Sequence, residues 1–555
     1  MDSLLSRRET FGVFKPFFPN ESSMVERLGN TETLESHAGC VNTLRWNEKG
    51  SLLISGSDDR MLKLWSVDGT LIKTVNTGHR GIIFAAEFVP CGEDRIIASG
   101  AGDHLVKLHD INSDEVLNTW SCKGRVKRMA TAQDEPYLFW SSSEDGNIRQ
   151  YDVRTNNEEE IIQTGAVPIK SFAVCQGRTE LIAVGSEEHF TPLYDRRQLS
   201  KPFMTLASAD AVINRSSRIT FTTHVAFNYM GTEVIVNQGC GPIYVYNLEN
   251  REPTVLQRLE SILTTPVPVT YRYSDHRAPV LDNVRALFTE KNYNKVIEYI
   301  SQALAESLYS DMVEKSALLC LRGKSFLSRR WPGDTYAAAR DFIEAVRINP
   351  AHCRALWWLV RALLLLEQYK LASRCIDLYK ERFKDLTAPS ITTLENQVNI
   401  GLTEQIPENY EEMVDDPQYL DYHQRFTGHT NCRTDIKEAN FFGSRDQFIV
   451  SGSDSGSLYI WDRDTGNIKV AFYADEEILN IVQPHPSKFM LATSGIENVI
   501  RFWEPLPEGQ YDLRRVDNVH ELNRFNSPQF AFLGNIAATG VRLAAGEMEG
   551  SCRVV

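Results

Sequence analysis

The hydrophobic positions of this chain follow two rhythms. The first is strand-like and appears in full at "HAGCVNTLRWNEKGSLLISGSDDRMLKLWSV" (37–67): a hydrophobic strand, a Gly-rich turn at "SGSDD", and a strand ending at Trp65. Asp59 sits six residues before Trp65. The same step from acid to aromatic or His recurs from Asp103 to His109, Asp145 to Tyr151, Glu188 to Tyr194 and Glu497 to Trp503. In "SGSDSGSLYIWD" it runs from Ser455 to Trp461, and a weaker copy without an acid ends at Tyr246. Seven repeats with a period of about 42 residues predict WD-type blades of a β-propeller. The first outer strand, around 31–35, is expected to complete the last blade at 475–504 and so close the ring.

The second rhythm is helical and interrupts the first between repeats five and six. "NYNKVIEYISQAL" (292–304), "DTYAAARDFIEAVRINP" (334–350) and "EQYKLASRCIDLYKERF" (367–383) read as the second helices of three helix pairs. Small or apolar residues recur in them at helical spacing: Val296 and Ala303, Ala338 and Ala345, Ala372 and Tyr379. This is a tetratricopeptide pattern with a unit of about 34 residues, stretched around "SRRWPG" (328–333). The predicted fold is therefore mixed: a seven-bladed WD-repeat β-propeller with an inserted α-helical tetratricopeptide array. The expected parts are an N-terminal arm with the closing strand (1–36), repeats one to five (37–250), a linker (251–279), the helical array (280–385), a linker (386–420), repeats six and seven (421–507) and a tail (508–555). The end of the tail, "AAGEMEGSCRVV" (544–555), reads as a peripheral strand or loop. Trp357 and Trp358, being consecutive, face different ways on a helix. One is expected in the core and the other in the groove of the array.

Composition narrows the function. At 555 residues the chain has a net charge of −14, which argues against gripping a nucleic acid backbone and leaves basic partners such as histone tails acceptable. Its ten cysteines contain no C-x-x-C pair, which suggests reduced thiols in an intracellular protein. The beginning, "MDSLLSRRETFGVF", has no signal-peptide core. The longest apolar stretch, "ALWWLVRALLLL" (355–366), is too short to span a bilayer and contains Arg361. A soluble protein of the cytoplasm and nucleus, without membrane contact, is expected.

No catalytic chemistry stands out. "RGKS" (322–325) lacks the earlier Gly of a phosphate loop, position 318 being Leu, and it lies in a helical repeat. No nucleophile elbow or metal-ligand spacing appears, so no catalytic residue, metal or cofactor is assigned, and the chain reads as a non-enzyme. The turn acids Asp59, Asp103 and Asp145 read as structural. In such repeats the acid ties its turn to a His of the preceding loop, the place held by His37, His79 and His429.

One feature is left over. Two positions past the residue that follows each terminal aromatic or His stand Asp68, Asn112, Arg154, Arg197, Glu249, Asp464 and Leu506. Arginine occurs only in the two adjacent repeats three and four, as "YDVR" (Tyr151, Asp152, Arg154) and "YDRR" (Tyr194, Asp195, Arg197). Either these are solvated arginines after a strand, or they are a paired dock. Propellers whose consecutive repeats end in W/Y-D-x-R resemble the substrate receptors of cullin-4 ubiquitin ligases. Together with "WSSSEDGNIRQYDVR", "TSGIENVIRFWEP" and the position of the insertion, the chain is similar over about 25–507 to the adipose family of such receptors. The resemblance implies that these six residues engage the ligase's damaged-DNA-binding adaptor. It also implies substrate proteins as partners, restraint of fat storage, and links to histones and transcriptional repressors. Tyr stands where the family pattern more often has Trp, and the short N-terminus leaves little room for a basic docking helix. A protein-binding chromatin or signalling scaffold without ubiquitin transfer is the alternative.

Both arginines follow the third strand of a repeat, and the insertion leaves near Leu248 and returns near "YHQRFTGH" (422–429). The array and the paired arginines are therefore expected on one side of the ring, with the loops at His37, Ser57 and Asp103 free on the other. Excision of about 260–420 is expected to leave a folded propeller.

Overall fold

The computed structural model describes residues 18–523 and Asn526, except positions 19, 36, 166 and 189 and the segments 208–220, 251–254, 265–278, 307–311, 384–388 and 405–418. The N-terminal stretch 1–17, the acidic part of the second linker and the end of the tail lie outside the described residues. Seven antiparallel sheets form the seven blades of a propeller. Blade one is built from Val41–Trp46, Leu52–Ser57, Met61–Ser66 and Leu71–Asn76, in that order from the inner to the outer strand. The ring is closed by Leu28–Glu35, which pairs antiparallel with Val499–Pro505 and supplies the outer strand of blade seven. That pairing consumes two edges that would otherwise be open to other chains.

Alternation decides which residues enter the spaces between blades. Trp140, Trp461, Trp503 and Tyr151 are among the largest fully buried side chains. Glycine sets the spacing where blades approach closely: a Cβ at Gly56 of blade one would lie 2.7 Å from Ile83 Cγ2 of blade two. Burying apolar surface at about 25 cal/mol per Å² is what drives each sheet against its neighbours.

The helical insertion opens after Ile243–Asn247, the third strand of blade five, and closes at Gln424–Phe426, its fourth. On the way back, Tyr419–Leu420 adds a short parallel strand to blade four against Met204–Ala207. Short helix α1 (Glu21–Glu26) precedes the propeller. The insertion consists of α2 (Val255–Thr264), α3 (Pro279–Thr289), α4 (Tyr293–Ala305), α5 (Met312–Arg329), α6 (Asp334–Ile348), α7 (Cys353–Leu365), α8 (Tyr369–Arg382) and α9 (Pro389–Glu404). The pairs α3/α4, α5/α6 and α7/α8 carry the three repeat units.

Two segments read from sequence as linkers hold helices. Helix α2 packs beside α6 and α8, where Glu260 pairs with Arg374, and α9 covers α8, where Lys380 reaches Glu395 at 2.6 Å. Helix α2 lies across the second helices of units two and three, and α9 covers the face that the last unit would otherwise leave open. The beginning of the segment read as tail is also built in. Val516 N–H donates to Ala471 O at 2.9 Å, Tyr473 N–H to Arg514 O at 2.8 Å, and the Asn526 amide to Tyr459 Oη at 3.0 Å.

Array and propeller share one hydrophobic core. Val234, Tyr244 and Tyr246 of blade five pack in the same cluster as Tyr336, Phe342 and Tyr422. Excision of about 260–420, expected to leave a folded propeller, would strip apolar cover from blade five.

Candidate functional site

In five of the seven blades the residue after the terminal aromatic or His has a local duty. Asp110, Asp152, Asp195, Asn247 and Asp462 each accept, through a side-chain oxygen, a backbone N–H two or three residues on, at 2.9–3.0 Å. These are Asx turns, and they start the third-to-fourth-strand connection on one rim of the ring. Blades three and four add an arginine to that turn. Arg154 donates Nε to Asp152 Oδ1 at 3.0 Å and Nη2 to Oδ2 at 2.7 Å. Arg197 repeats the fork on Asp195, with Nε–Oδ1 at 2.9 Å and Nη2–Oδ2 at 2.5 Å. The arginine forks hold both carboxyls below the usual aspartate range.

The two guanidinium groups remain in solvent, with side chains 58 % and 74 % exposed, so each has N–H edges left for a partner. Arg154 also lies over the Tyr137 ring at 4.7 Å. Between the forks the rims of the two blades are tied together. Thr179 Oγ1 donates to Asp134 at 2.6 Å, and Arg196 covers Trp140 at 4.8 Å while reaching Glu135 at 3.6 Å.

The tyrosines of the motif are not on the surface. Tyr151 is fully buried: it stacks on Phe139 at 4.7 Å, packs against Trp120 at 5.0 Å and has Ser141 Oγ 3.0 Å from its hydroxyl. Tyr194 is half-buried in the core between blades three and four. Of the six motif residues, Asp152, Arg154, Asp195 and Arg197 stand at the solvent-facing rim, while Tyr151 anchors the strand that presents the fork. Strand alternation would have shown this, since a terminal aromatic and the Asp after it point to opposite faces.

The turn acids form networks that vary by blade. His37 Nδ1 lies 2.8 Å from Asp59 Oδ2, and its Nε2 is 2.7 Å from Ser55 Oγ, to which Trp65 Nε1 donates at 2.9 Å. In blade two His79 meets Asp103 at 3.0 Å and Ser99 at 2.8 Å, with His109 in the place of the tryptophan. Burial would raise the carboxyls of Asp59 and Asp103, but hydrogen bonds from His37 and His79 bring both down to about 2. Asp145 has Arg149 for its partner, at 2.8 Å, and also accepts Lys123 N–H. His429 reaches Asn237 at 3.3 Å, whereas Asp454 is engaged by Lys437 at 3.2 Å. No acid–His pair forms in blade six.

The array is mounted on the same rim, because blade five opens for it between the strands that in blades three and four are joined by the arginine turns. Asp334, fully buried, receives Arg329 at 2.8 Å and Arg425 at 2.9 Å. Tyr336 Oη donates to Asp421 at 2.8 Å and Arg340 to Tyr422 O at 2.7 Å. Gly333 adopts a left-handed φ of 73° at this joint, where a side chain would press on Arg425. A cleft of about 320 Å³ lies between array and propeller, lined in part by Arg322, Arg340 and Arg463. Trp357 and Trp358 are both half-buried and meet edge to face at 4.9 Å, so neither is a pure core residue. Among the described residues no helix is long and apolar enough to cross a membrane.

Fold and rim together define a repeat scaffold: a WD propeller that carries a helical repeat array. The WD domain, G-beta repeat family matches residues 29–66 and 421–462. The chain belongs to the WD and tetratricopeptide repeats protein family, being 31 % identical to WD and tetratricopeptide repeats protein 1 of Mus musculus and of Homo sapiens over 91 % of this chain and 88 % of each relative. It is also 27 % identical to Protein ALTERED SEED GERMINATION 2 of Arabidopsis thaliana, over 87 % of both chains. DDB1- and CUL4-associated factor 6 of Homo sapiens is 28 % identical over 44 % of this chain and 31 % of the relative.

Proposed function

We propose that this protein is a substrate receptor of a cullin-4 RING ubiquitin ligase and docks the ligase adaptor through the forks Asp152–Arg154 and Asp195–Arg197. The observation that carries this reading is the repetition of one exposed, preorganised Arg–Asp fork at equivalent positions of adjacent blades. A guanidinium already fixed by its own carboxylate loses little freedom on binding, and it presents planar donors suited to carboxylates or carbonyls. The name of DDB1- and CUL4-associated factor 6, a partial relative, agrees with it. In this reading the ligase performs the chemistry and the receptor supplies proximity. Substrates are held by other surfaces, and the wider roles in fat storage and histone binding come from the family resemblance.

The test is affinity purification of the intact protein beside an Arg154→Ala/Arg197→Ala variant. Recovery of the adaptor is expected to fall by more than about tenfold, as happens when central interface arginines are truncated. Unchanged recovery from the variant overturns the docking assignment.

A further inference from the structure

The turn between the second and third strands of blade five differs from those of the first three blades. Six residues before the terminal aromatic or His, blades one to three carry Asp59, Asp103 and Asp145; six residues before Tyr246 stands Cys240. Cys240 is the third residue of a turn in which Gly241 N–H donates to Gln238 O at 3.2 Å. Its φ of 58° is left-handed, at a turn position that Gly or Asn usually takes. The turn is fixed on both sides: Gly239 N–H donates to Phe221 O, and Cys240 N–H to Asn431 O, each at 2.7 Å.

The contact with Asn431 reaches the connection that leads into blade six, between Gln424–Phe426 and Ala439–Phe442. Asn431 is buried there, and its amide donates to Thr223 Oγ1 at 2.9 Å and to Gln238 O at 3.2 Å. The next residue is Cys432, whose N–H donates to Asp454 Oδ2 at 2.6 Å. Because Cys240 N–H meets the carbonyl directly before Cys432, standard bond lengths hold the two Cα atoms within about 6.5 Å of each other. A disulfide bridges Cα atoms up to about 6.8 Å apart.

The side chains meet as well. The hydrogen bond with Cys240 is the largest cause that pushes the Cys432 thiol up, ahead of burial and the Asp454 carboxylate. Both cysteines are free and half-buried, within reach of a small reagent, whereas Cys122, Cys175, Cys320 and Cys375 are buried.

We propose that Cys240 and Cys432 are a redox modification site, where a low-molecular-weight disulfide such as oxidised glutathione drives formation of a reversible disulfide that staples blade five to the connection into blade six. The thiolate of one cysteine attacks a sulfur of the oxidant, whose S–S bond breaks and releases one thiol. The other cysteine then attacks the mixed disulfide and releases the second. The two cysteines lose two protons and two electrons, which leave on the two released thiols. The pair lies on the rim opposite the forks, since Cys240 precedes the third strand of its blade while Arg154 and Arg197 follow theirs. The whole helical insertion lies between the two cysteines in the chain, and a cross-link restrains the unfolded chain more as the loop it closes grows longer. The oxidised chain is therefore the more stable one.

The experiment titrates the folded full chain with glutathione of rising oxidised fraction, quenches with acid, alkylates the remaining thiols and maps the cysteines by mass spectrometry. A single intrachain link between the Cys240 and Cys432 peptides is expected, about 2 Da lighter than the two free-thiol peptides together and reversed by dithiothreitol. The melting temperature is expected to shift upward on oxidation. Cys240→Ser and Cys432→Ser are each expected to abolish the link and that shift, and to leave the melting temperature of the reduced chain unchanged. The mapping on the wild-type chain decides the proposal even where a variant folds poorly. Persistence of both thiols at full oxidation, a glutathione adduct that never resolves into the link, a link to another cysteine or another chain instead, or a link that forms only in urea each overturns it.

Discussion

Arg128 of blade three donates Nη1 to Glu438 of blade six at 2.6 Å, across the middle of the ring. The two blades are not neighbours, so the contact must bridge the channel lined by the innermost strands. Glu438 also accepts from Arg45 of blade one at 3.1 Å and from Gln483 of blade seven at 2.5 Å, and His224 of blade five stands 4.0 Å away. One buried carboxylate thus connects five blades. The inward-facing charge is tolerated because two arginines and an amide donate to it and Arg128 is as deeply buried as the carboxylate.

Glu438→Gln leaves the buried Arg128 without its countercharge, while Arg45 keeps Glu87 at 2.7 Å. The expected cost is about 3–5 kcal/mol, measured as the shift in urea unfolding at neutral pH. Burial would raise the Glu438 carboxyl, but Arg45 and Arg128 bring it down to about 2, below its unfolded value of about 4.3. A depressed carboxylate stabilises the fold above its unfolded pKa and loses that contribution as pH falls through the folded one. The wild type should therefore lose stability between about pH 4 and pH 2, and the variant should show a shallower slope over that window. Equal slopes contradict the hub.

Asp59→Ala removes the acceptor for His37 Nδ1, Ala38 N–H and Met61 N–H together. A loss of about 1–3 kcal/mol is expected, with hydrogen exchange increased first in blade one. Adaptor recovery should stay at the wild-type level.

Asp334→Ala strips Arg329 and Arg425 of one shared carboxylate at the joint. The cost is expected to be about 3–5 kcal/mol, because two nearly buried guanidinium groups lose their partner. Limited proteolysis should then cut within α5–α6 before it cuts the blades. Excision of 251–418 should lower the melting temperature and promote aggregation through the uncovered Tyr244 and Tyr246, rather than yield a propeller as stable as the intact chain.

Arg154→Lys with Arg197→Lys keeps two positive charges and loses the planar fork that grips Asp152 and Asp195. Adaptor binding is expected to weaken by about tenfold in biolayer interferometry while the melting temperature stays unchanged. Full binding by the lysine variant would assign the dock to charge alone.

The sequence by itself determined the number of blades, the place of the helical insertion, and which two repeats carry Arg after the Asp. Each is written in local spacing: the six-residue step from acid to aromatic, the change to helical period near 280, the repeated Tyr-Asp-x-Arg. Local spacing also marks Asp152 and Asp195 as turn formers, because an Asx turn involves only near neighbours. What only the tertiary structure decided depends on residues far apart in the chain. Glu438 meets Arg128 across a separation of 310 residues, and Asp334 meets Arg425 across 91. Helices α2 and α9 lie in segments whose Pro, Thr and acidic residues read as linkers, and they are held by the array's apolar faces more than by propensity. Tyr151 looks like part of a surface motif in one dimension and is buried in three. The pleat turns it inward at the very position where it turns Asp152 out.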